Sequence, residues 1–289
     1  VRGADVAIVN ARVGVAARRG LDPETLHALN PRLIYCAITG FGAEGPYAAR
    51  PAFDTVGQSL SGWITLFRTT DDPRVLGPAV SDAFTGLFAA YGILGALHER
   101  ASSGRGRLVE VNMLEATLAF AIEPICSFFL DRTPPAPYRR AALSQAFILT
   151  CADGKAIGIH LSVVERFWRN LMVAVDSPDL AAALAEAFRS RPRRVWAERL
   201  EDADVPYAPV HEFQELEADP QITALDSFFS CTHPRFGPMR GVRRPVRYDH
   251  DRTTTLRPPP AVGEHADDVL RELGLSDAAI ADLRDRRII

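Results

Sequence analysis

The stretch LIYCAIT, Leu33 to Thr39, running straight into GFGAEGPY, Gly40 to Tyr47, constrains this chain more than any other. A continuous run of strand formers without polar alternation reads as a strand covered on both faces, the kind found inside parallel sheets. It empties into a glycine–proline loop. Upstream, Ala4 to Asn10 is a short apolar strand, and Ala11 to Gly14 a polar turn. Asp22-Pro23-Glu24 then opens a helix, with an N-cap residue followed by proline at the first helical position, and the helix ends near Asn30. Strand, helix, strand, glycine loop is the rhythm of an α/β fold with a parallel sheet. Ligands of such sheets gather beyond the carboxyl ends of the strands.

The rest of the chain continues the alternation. Residues 53–66 read as helical, Thr69 to Pro73 as a turn, and Ser81 to His98 as a long helix rich in small residues. Leu108 to Met113 is expected to be a strand and Leu114 to Leu130 one helix. The stiff TPPAP segment, Thr133 to Pro137, is the clearest candidate boundary. Beyond it, residues 147–151 and 155–160 form a hairpin around Asp153-Gly154, followed by helices near 163–175, 180–189 and 192–203. Val205 to Val210 reads as a strand, Glu212 to Asp219 as the start of a helix, and Phe228 to Tyr248 as β-like. After Pro258-Pro259-Pro260, Ala266 to Leu273 and Asp277 to Arg286 close the chain as helices, the second capped by Ser276. The expected organisation is a large domain over 1–132, a linker over 133–146, a small α+β domain over 147–235, and a segment over 236–289 returning to the large domain.

Composition narrows the function classes. A net charge of −3 gives the chain no overall attraction for nucleic acid. The four cysteines lie far apart and the seven histidines form no close pair, so no metal site is expected, and reduced thiols fit a cytoplasmic protein. No uninterrupted apolar run reaches the ~18 residues of a membrane span, and no signal peptide opens the sequence. The first residues, VRGADVAIVN, read as the end of a helix running into a strand, so the chain is expected to begin inside a domain.

The segment GRGRLVEVNMLEATLAF, Gly104 to Phe120, places one carboxylate, Glu115, at a strand-to-helix junction. Spacing supports two readings. Asn112 and Glu115 fit a capping box, with the glutamate accepting the cap residue's own N–H. Equally, a carboxylate in the first turn of a helix, beyond a strand end, feels the positive end of the helix dipole and can serve as a nucleophile. The loop GFGAEGPY is either a turn or an anion cradle; it lacks the features of a P-loop and of the dinucleotide fingerprint. Gly104-Arg105-Gly106-Arg107 is either a phosphate site or an exposed turn. No GxSxG motif is present.

Taken in order, NPRLIYCAITGFGAEGPYAARPAFDTVGQSLSG, the small-residue helix, GRGRLVEVNMLEA, the Ala152-Asp153-Gly154 turn, VPYAPV, Asp219-Pro220-Gln221 and GEHADDVL resemble the class III CoA-transferases over nearly the whole chain. That family also includes the α-methylacyl-CoA racemases. The resemblance implies a Rossmann-like large domain, a smaller α+β domain and an interlocked homodimer. It implies an acyl-CoA and a free carboxylic acid as substrates, with no further cofactor, metal, nucleic acid or membrane partner. Family members carry N-terminal βα units that this chain lacks, and the small domain is shortened after residues 177–180. In the transferases an aspartate at the position of Glu115 is the nucleophile, passing through a mixed anhydride and an enzyme–CoA thioester. Here the side chain is one methylene longer.

Other positions carry over residue by residue. Gly40, Phe41 and Gly42 match the loop beside the thioester, whose backbone donors can hold an oxyanion. Asn10 matches the asparagine of a family motif near CoA, although its neighbours Val9 and Ala11 do not match, and Arg12 is a further candidate contact to CoA. Asp82 matches a frequent family acid, with a helix N-cap as its other reading, and Phe53 is expected to be pocket wall or core. A racemase would have a histidine before Asp54; Phe53 cannot carry a proton, which disfavours that branch. A CoA-ester-binding protein without catalysis is the third reading.

Overall fold

The computed structural model describes residues 1–67, 77–133, 139–162, 164–176, 184–247 and 257–289. The turn expected at Thr69 to Pro73, most of the TPPAP segment, the start of the helix near 180 and the end of the β-like stretch at Tyr248 lie outside them. The chain forms two compact units: Val1–Phe147, Ile159–Asp176 and Ala203–Pro206 in one, Ile148–Gly158, Ser177–Asp202 and Tyr207–Ile289 in the other.

In the first unit, β1 (Val6–Asn10), a short turn of helix α1 (Val15–Arg18), α2 (Pro23–Leu29) and β2 (Ile34–Thr39) follow one another, then α3 (Asp54–Leu60), α4 (Val80–Ser103) and β3 (Leu108–Asn112). The three strands make a parallel sheet in the order β1-β2-β3. Asp22 caps α2 by accepting the Thr25 N–H, and Pro23 follows at the first helical position, as expected. The doubly covered character of β2 is visible in its burial: Ile34, Tyr35 and Cys36 are all buried. Leu33 and Tyr35 pack with Leu26 of α2 and with Ala7, Val9 and Ala37. The alternate side chains face α4, which packs on β2 and β3. Gly92 of α4 comes so near β3 that an added Cβ would lie 2.7 Å from Val109 Cγ1.

Two elements differ from the sequence reading. The expected helix from Leu114 to Leu130 is two helices, α5 (Met113–Phe120) and α6 (Ile122–Asp131), bent by 69° about Ala121. Pro124, in the first turn of α6, has no N–H to donate to the Phe120 carbonyl four residues back and its ring crowds that carbonyl, which breaks the helix there. The expected helix over 53–66 is α3 followed by a separate 3₁₀ turn, Trp63–Leu66, entered through Gly62 at φ 77°. No apolar run in the sequence is long enough for a membrane span, yet α4 gathers 24 residues into one helix that is long and apolar enough by composition. Its packing on β2, β3, α3 and α5 accounts for its inner face.

The chain continues through α7 (Arg139–Leu143), β4 (Ala146–Thr150), β5 (Ala156–His160), α8 (Glu165–Val175), α9 (Leu184–Phe188), α10 (Arg193–Asp202) and β6 (Tyr207–Val210). The strands form a sheet in the order β4-β5-β6. In the second unit Phe188 and Trp196 stack at 4.4 Å, and the indole N–H donates to the Phe188 carbonyl at 2.9 Å. Phe213–Ala218 is a 3₁₀ turn rather than a regular helix, and α11 (Pro220–Ala224) follows it. The antiparallel pair β7 (Phe228–His233) and β8 (Gly237–Val242) comes next, then α12 (Ala266–Glu272) and α13 (Asp277–Asp285). Ser276 caps α13.

Glu215 ties this unit together by accepting from Lys155 at 2.6 Å, Arg193 at 2.8 Å and the Glu212 N–H at 3.0 Å. These donors, led by Lys155, hold its carboxyl at about 2, down from 4.5. A depressed carboxylate pKa stabilises the fold above the unfolded value and loses that contribution as pH falls through the folded one. Glu215→Gln should therefore lower the denaturant midpoint at pH 7, with the difference closing between about pH 4.5 and about pH 2. A second comparison tests the close packing. A Cβ on Gly106 would lie 1.9 Å from the Leu33 carbonyl oxygen, whereas one on Gly95, inside α4, meets nothing. Gly106→Ala should cost at least about 1–3 kcal/mol, and Gly95→Ala should add about 0.5–1 kcal/mol, read from chemical denaturation.

Candidate active site

The carboxyl ends of β1, β2 and β3 lie side by side, with Asn10 in register with Ile38 and Thr39 with Asn112. A cavity of about 520 Å³ opens beyond them. It brings together Asn10, Arg12, Gly40, Phe53 and Asp82, drawn from β1 and the turn after it, the loop after β2, the start of α3 and the first turn of α4. Arg50 lines it too, its guanidinium 4.0 Å from the centroid of the Tyr47 ring. Arg12 and Arg50 make no ion pair with any carboxylate among the described residues, so both are available to an anion.

The glycine loop folds tightly over the sheet. A Cβ on Gly40 would fall 2.3 Å from that of Ala52, so the close approach of the two segments depends on glycine there. The Gly40 carbonyl accepts the Leu114 N–H at 3.2 Å, joining the loop to α5. Gly42 sits at φ 96°, a conformation glycine adopts at little cost. Its N–H donates to Thr39 Oγ1 at 3.0 Å and is therefore already engaged. The ring of Phe41 meets Tyr47 edge-on at 5.8 Å.

Glu115 stands apart from that cavity. It is exposed in the first turn of α5 and lines a neighbouring groove of about 330 Å³. Asn112, at φ −126° and ψ 152°, is the N-cap of α5 and accepts the Glu115 N–H at 2.8 Å. The reciprocal half of the expected capping box is built differently. The Glu115 carboxylate (Oε2) accepts from the Asn112 side-chain amide, not from the backbone N–H of Asn112. Gly42 is close by, since a Cβ on it would be 3.7 Å from Asn112 Nδ2. Loop, cap and carboxylate thus form one group, with the acid fixed by a neutral donor and open to solvent.

Asp82 is not the N-cap of α4; Ala79 holds that position with no side-chain cap bond. The capping function comes from Asp54, whose Oδ1 accepts the N–H of Ser81 at 2.8 Å and of Asp82 at 3.3 Å. Its other oxygen accepts from Gln58 at 2.6 Å. Burial, and next the charge of Asp54, push the Asp82 carboxyl above its ordinary value. Sequence reading missed the role of Asp54 because its partners lie on another helix, and it missed Arg50 because nothing local marks an arginine as a cavity wall. Among the described residues no group of three or more His, Cys, Asp and Glu side chains could hold a metal.

Comparison with known proteins gives these residues a context. Residues 1–266 match the family model for CoA-transferase family III. The chain is 30% identical to succinate–glutarate CoA-transferase of Agrobacterium fabrum, covering 94% of this chain and 73% of that protein. It is 34% identical to acetyl-CoA:oxalate CoA-transferase of Acetobacter aceti, covering 78% and 63%. Among solved structures it is similar to a CAIB/BAIF family protein from Brucella suis, with TM-score 0.78, 28% identity and coverage of 94% of this chain and 76% of that one.

Replacing Asn112 by alanine removes the cap and the donor to Glu115 together. The loss should cost about 1 kcal/mol of stability, measured by denaturation, and Asn112→Asp should restore the cap while losing the donor to the carboxylate.

Proposed function

Because the chain belongs to CoA-transferase family III, we propose that it moves CoA from an acyl-CoA donor to a free carboxylic acid, with Glu115 as the nucleophile. The observation that carries this reading is the Glu115 carboxylate itself: exposed, in the first turn of α5, at the carboxyl edge of the sheet and held by Asn112.

The steps balance without an external oxidant or proton source. The Glu115 carboxylate attacks the donor thioester carbonyl and expels CoA thiolate, leaving a mixed anhydride. The thiolate attacks the Glu115 side of the anhydride, releasing the donor acid and forming a glutamyl–CoA thioester. The acceptor carboxylate repeats the sequence in reverse and regenerates Glu115. Covalent catalysis conserves the thioester energy by splitting one exchange into easier ones. The 520 Å³ cavity, with Arg12 and Arg50 at its wall, suits the phosphates of CoA. Phe53, 78% exposed, and Asn10 offer further contacts there, and Gly40 and Phe41 are the candidate oxyanion donors.

The racemase reading is disfavoured at the segment that would carry its base: Phe53 carries no proton, and both oxygens of Asp54 are occupied by the start of α4 and by Gln58. In line with the family we further propose a Rossmann-like core and an interlocked homodimer. The exposed apolar residues Leu87, Tyr91 and Leu94 on α4, with Phe129 and Leu130 on α6, support a covered surface. The four free cysteines fit a cytoplasmic location.

The test is exchange of an isotopically labelled carboxylic acid into its CoA ester. Wild-type protein should catalyse it with parallel-line, double-displacement kinetics. Glu115→Gln should abolish it, and Glu115→Asp, which withdraws the reacting oxygen by a methylene, should slow it about 10²-fold. Full exchange by Glu115→Gln would exclude Glu115 as nucleophile.

A further inference from the structure

The groove that holds Glu115 also carries information about the acyl group, resting on the assignment of Glu115 as nucleophile. The 520 Å³ cavity and the 330 Å³ groove share no lining residue, and they meet at the strand-to-helix junction where Met113 faces one and Asn112 and Glu115 face the other. The first has arginines and polar groups. The second is walled by Phe88 and Gly92 of α4, Val111 of β3, and Ala116 and Ala119 of α5. A thioester spanning the junction puts its CoA arm on the arginine side and its acyl chain on the apolar side.

The groove's charges are of one sign. Its charged lining residues are Glu110 and Glu115, and no arginine, lysine or histidine is among them. A second carboxylate on the substrate would enter without a cationic partner and would face Glu110. Bringing an unpaired charge beside like ones is unfavourable even where they stay exposed, whereas an alkyl chain gains by leaving water. The small side chains at Gly92, Ala116 and Ala119 make the room. We infer that this site selects an uncharged aliphatic acyl group and discriminates against dicarboxylic acids, with Glu110 as a specificity-determining residue.

Unreactive thioethers test the inference separately from the chemistry. Titration calorimetry of the full chain would compare S-butyl-CoA, S-(3-carboxypropyl)-CoA and free CoA. The expected result is at least tenfold tighter binding of the butyl compound than of the carboxypropyl one, with the ratio falling several-fold in Glu110→Gln through better binding of the carboxypropyl compound alone. Equal or reversed affinities, a butyl compound no tighter than free CoA, or a ratio unchanged in Glu110→Gln would overturn it. Tight butyl binding without any label exchange would sink the transferase reading while leaving the groove assignment standing. No binding of any CoA compound would remove both.

Discussion

Asp54 holds the site in place without touching the reacting group. Its carboxylate accepts the first N–H groups of α4, at Ser81 and Asp82, and the side-chain amide of Gln58. A helix start left without such partners would bury unsatisfied donors. From there the connection continues: the buried Ser81 hydroxyl lies 2.5 Å from Thr117 Oγ1, and the Thr117 hydroxyl donates to the Met113 carbonyl at 2.7 Å. Since Thr117 spends its hydrogen on Met113, Ser81 is the donor to Thr117. Asp54 thus anchors α4, and α4 anchors the helix that carries Glu115. Gly57 fits the same joint, where an added Cβ would meet Ser81 Oγ at 2.4 Å.

This arrangement separates the duties of the acidic groups. Asp54 is consumed by backbone capping, and the Asp82 carboxyl, partly desolvated and next to the Asp54 charge, lies above its ordinary value. Glu115, at the carboxyl edge of the sheet, is exposed and is oriented by the neutral side-chain amide of Asn112. Oriented but accessible is what a nucleophile requires. The Gly40–Gly42 loop presses on this group through the Leu114 N–H and through Asn112.

Legibility in the sequence followed the range of the interaction involved. The strand β2 and the loop after it were readable because continuous apolar residues and clustered glycines are local signals, and so was the α2 cap at Asp22-Pro23. The cap at Asn112 was readable for the same reason, although its partner on Glu115 is the side-chain amide, a detail set by the placement of the Asn112 backbone at the end of β3. The bend at Ala121 did have a local signal that the reading passed over: Pro124 cannot donate to the Phe120 carbonyl, so a helix running through both is broken there. The capping of α4 by Asp54, by contrast, was hidden. A short-range rule pointed to Asp82, while the true partner sits on α3. The cavity assembled from Asn10, Arg12, Gly40, Phe53 and Asp82 was foreshadowed through family resemblance, since no spacing rule unites such distant segments.

The most direct test of the account is intact-mass and peptide mass spectrometry of the protein incubated with an acyl-CoA that supports exchange. The account predicts a CoA-sized, hydroxylamine-labile adduct on the peptide containing Glu115, absent from Glu115→Gln. Exchange proceeding at full rate with Glu115 unmodified, or with the adduct on another residue, would contradict it.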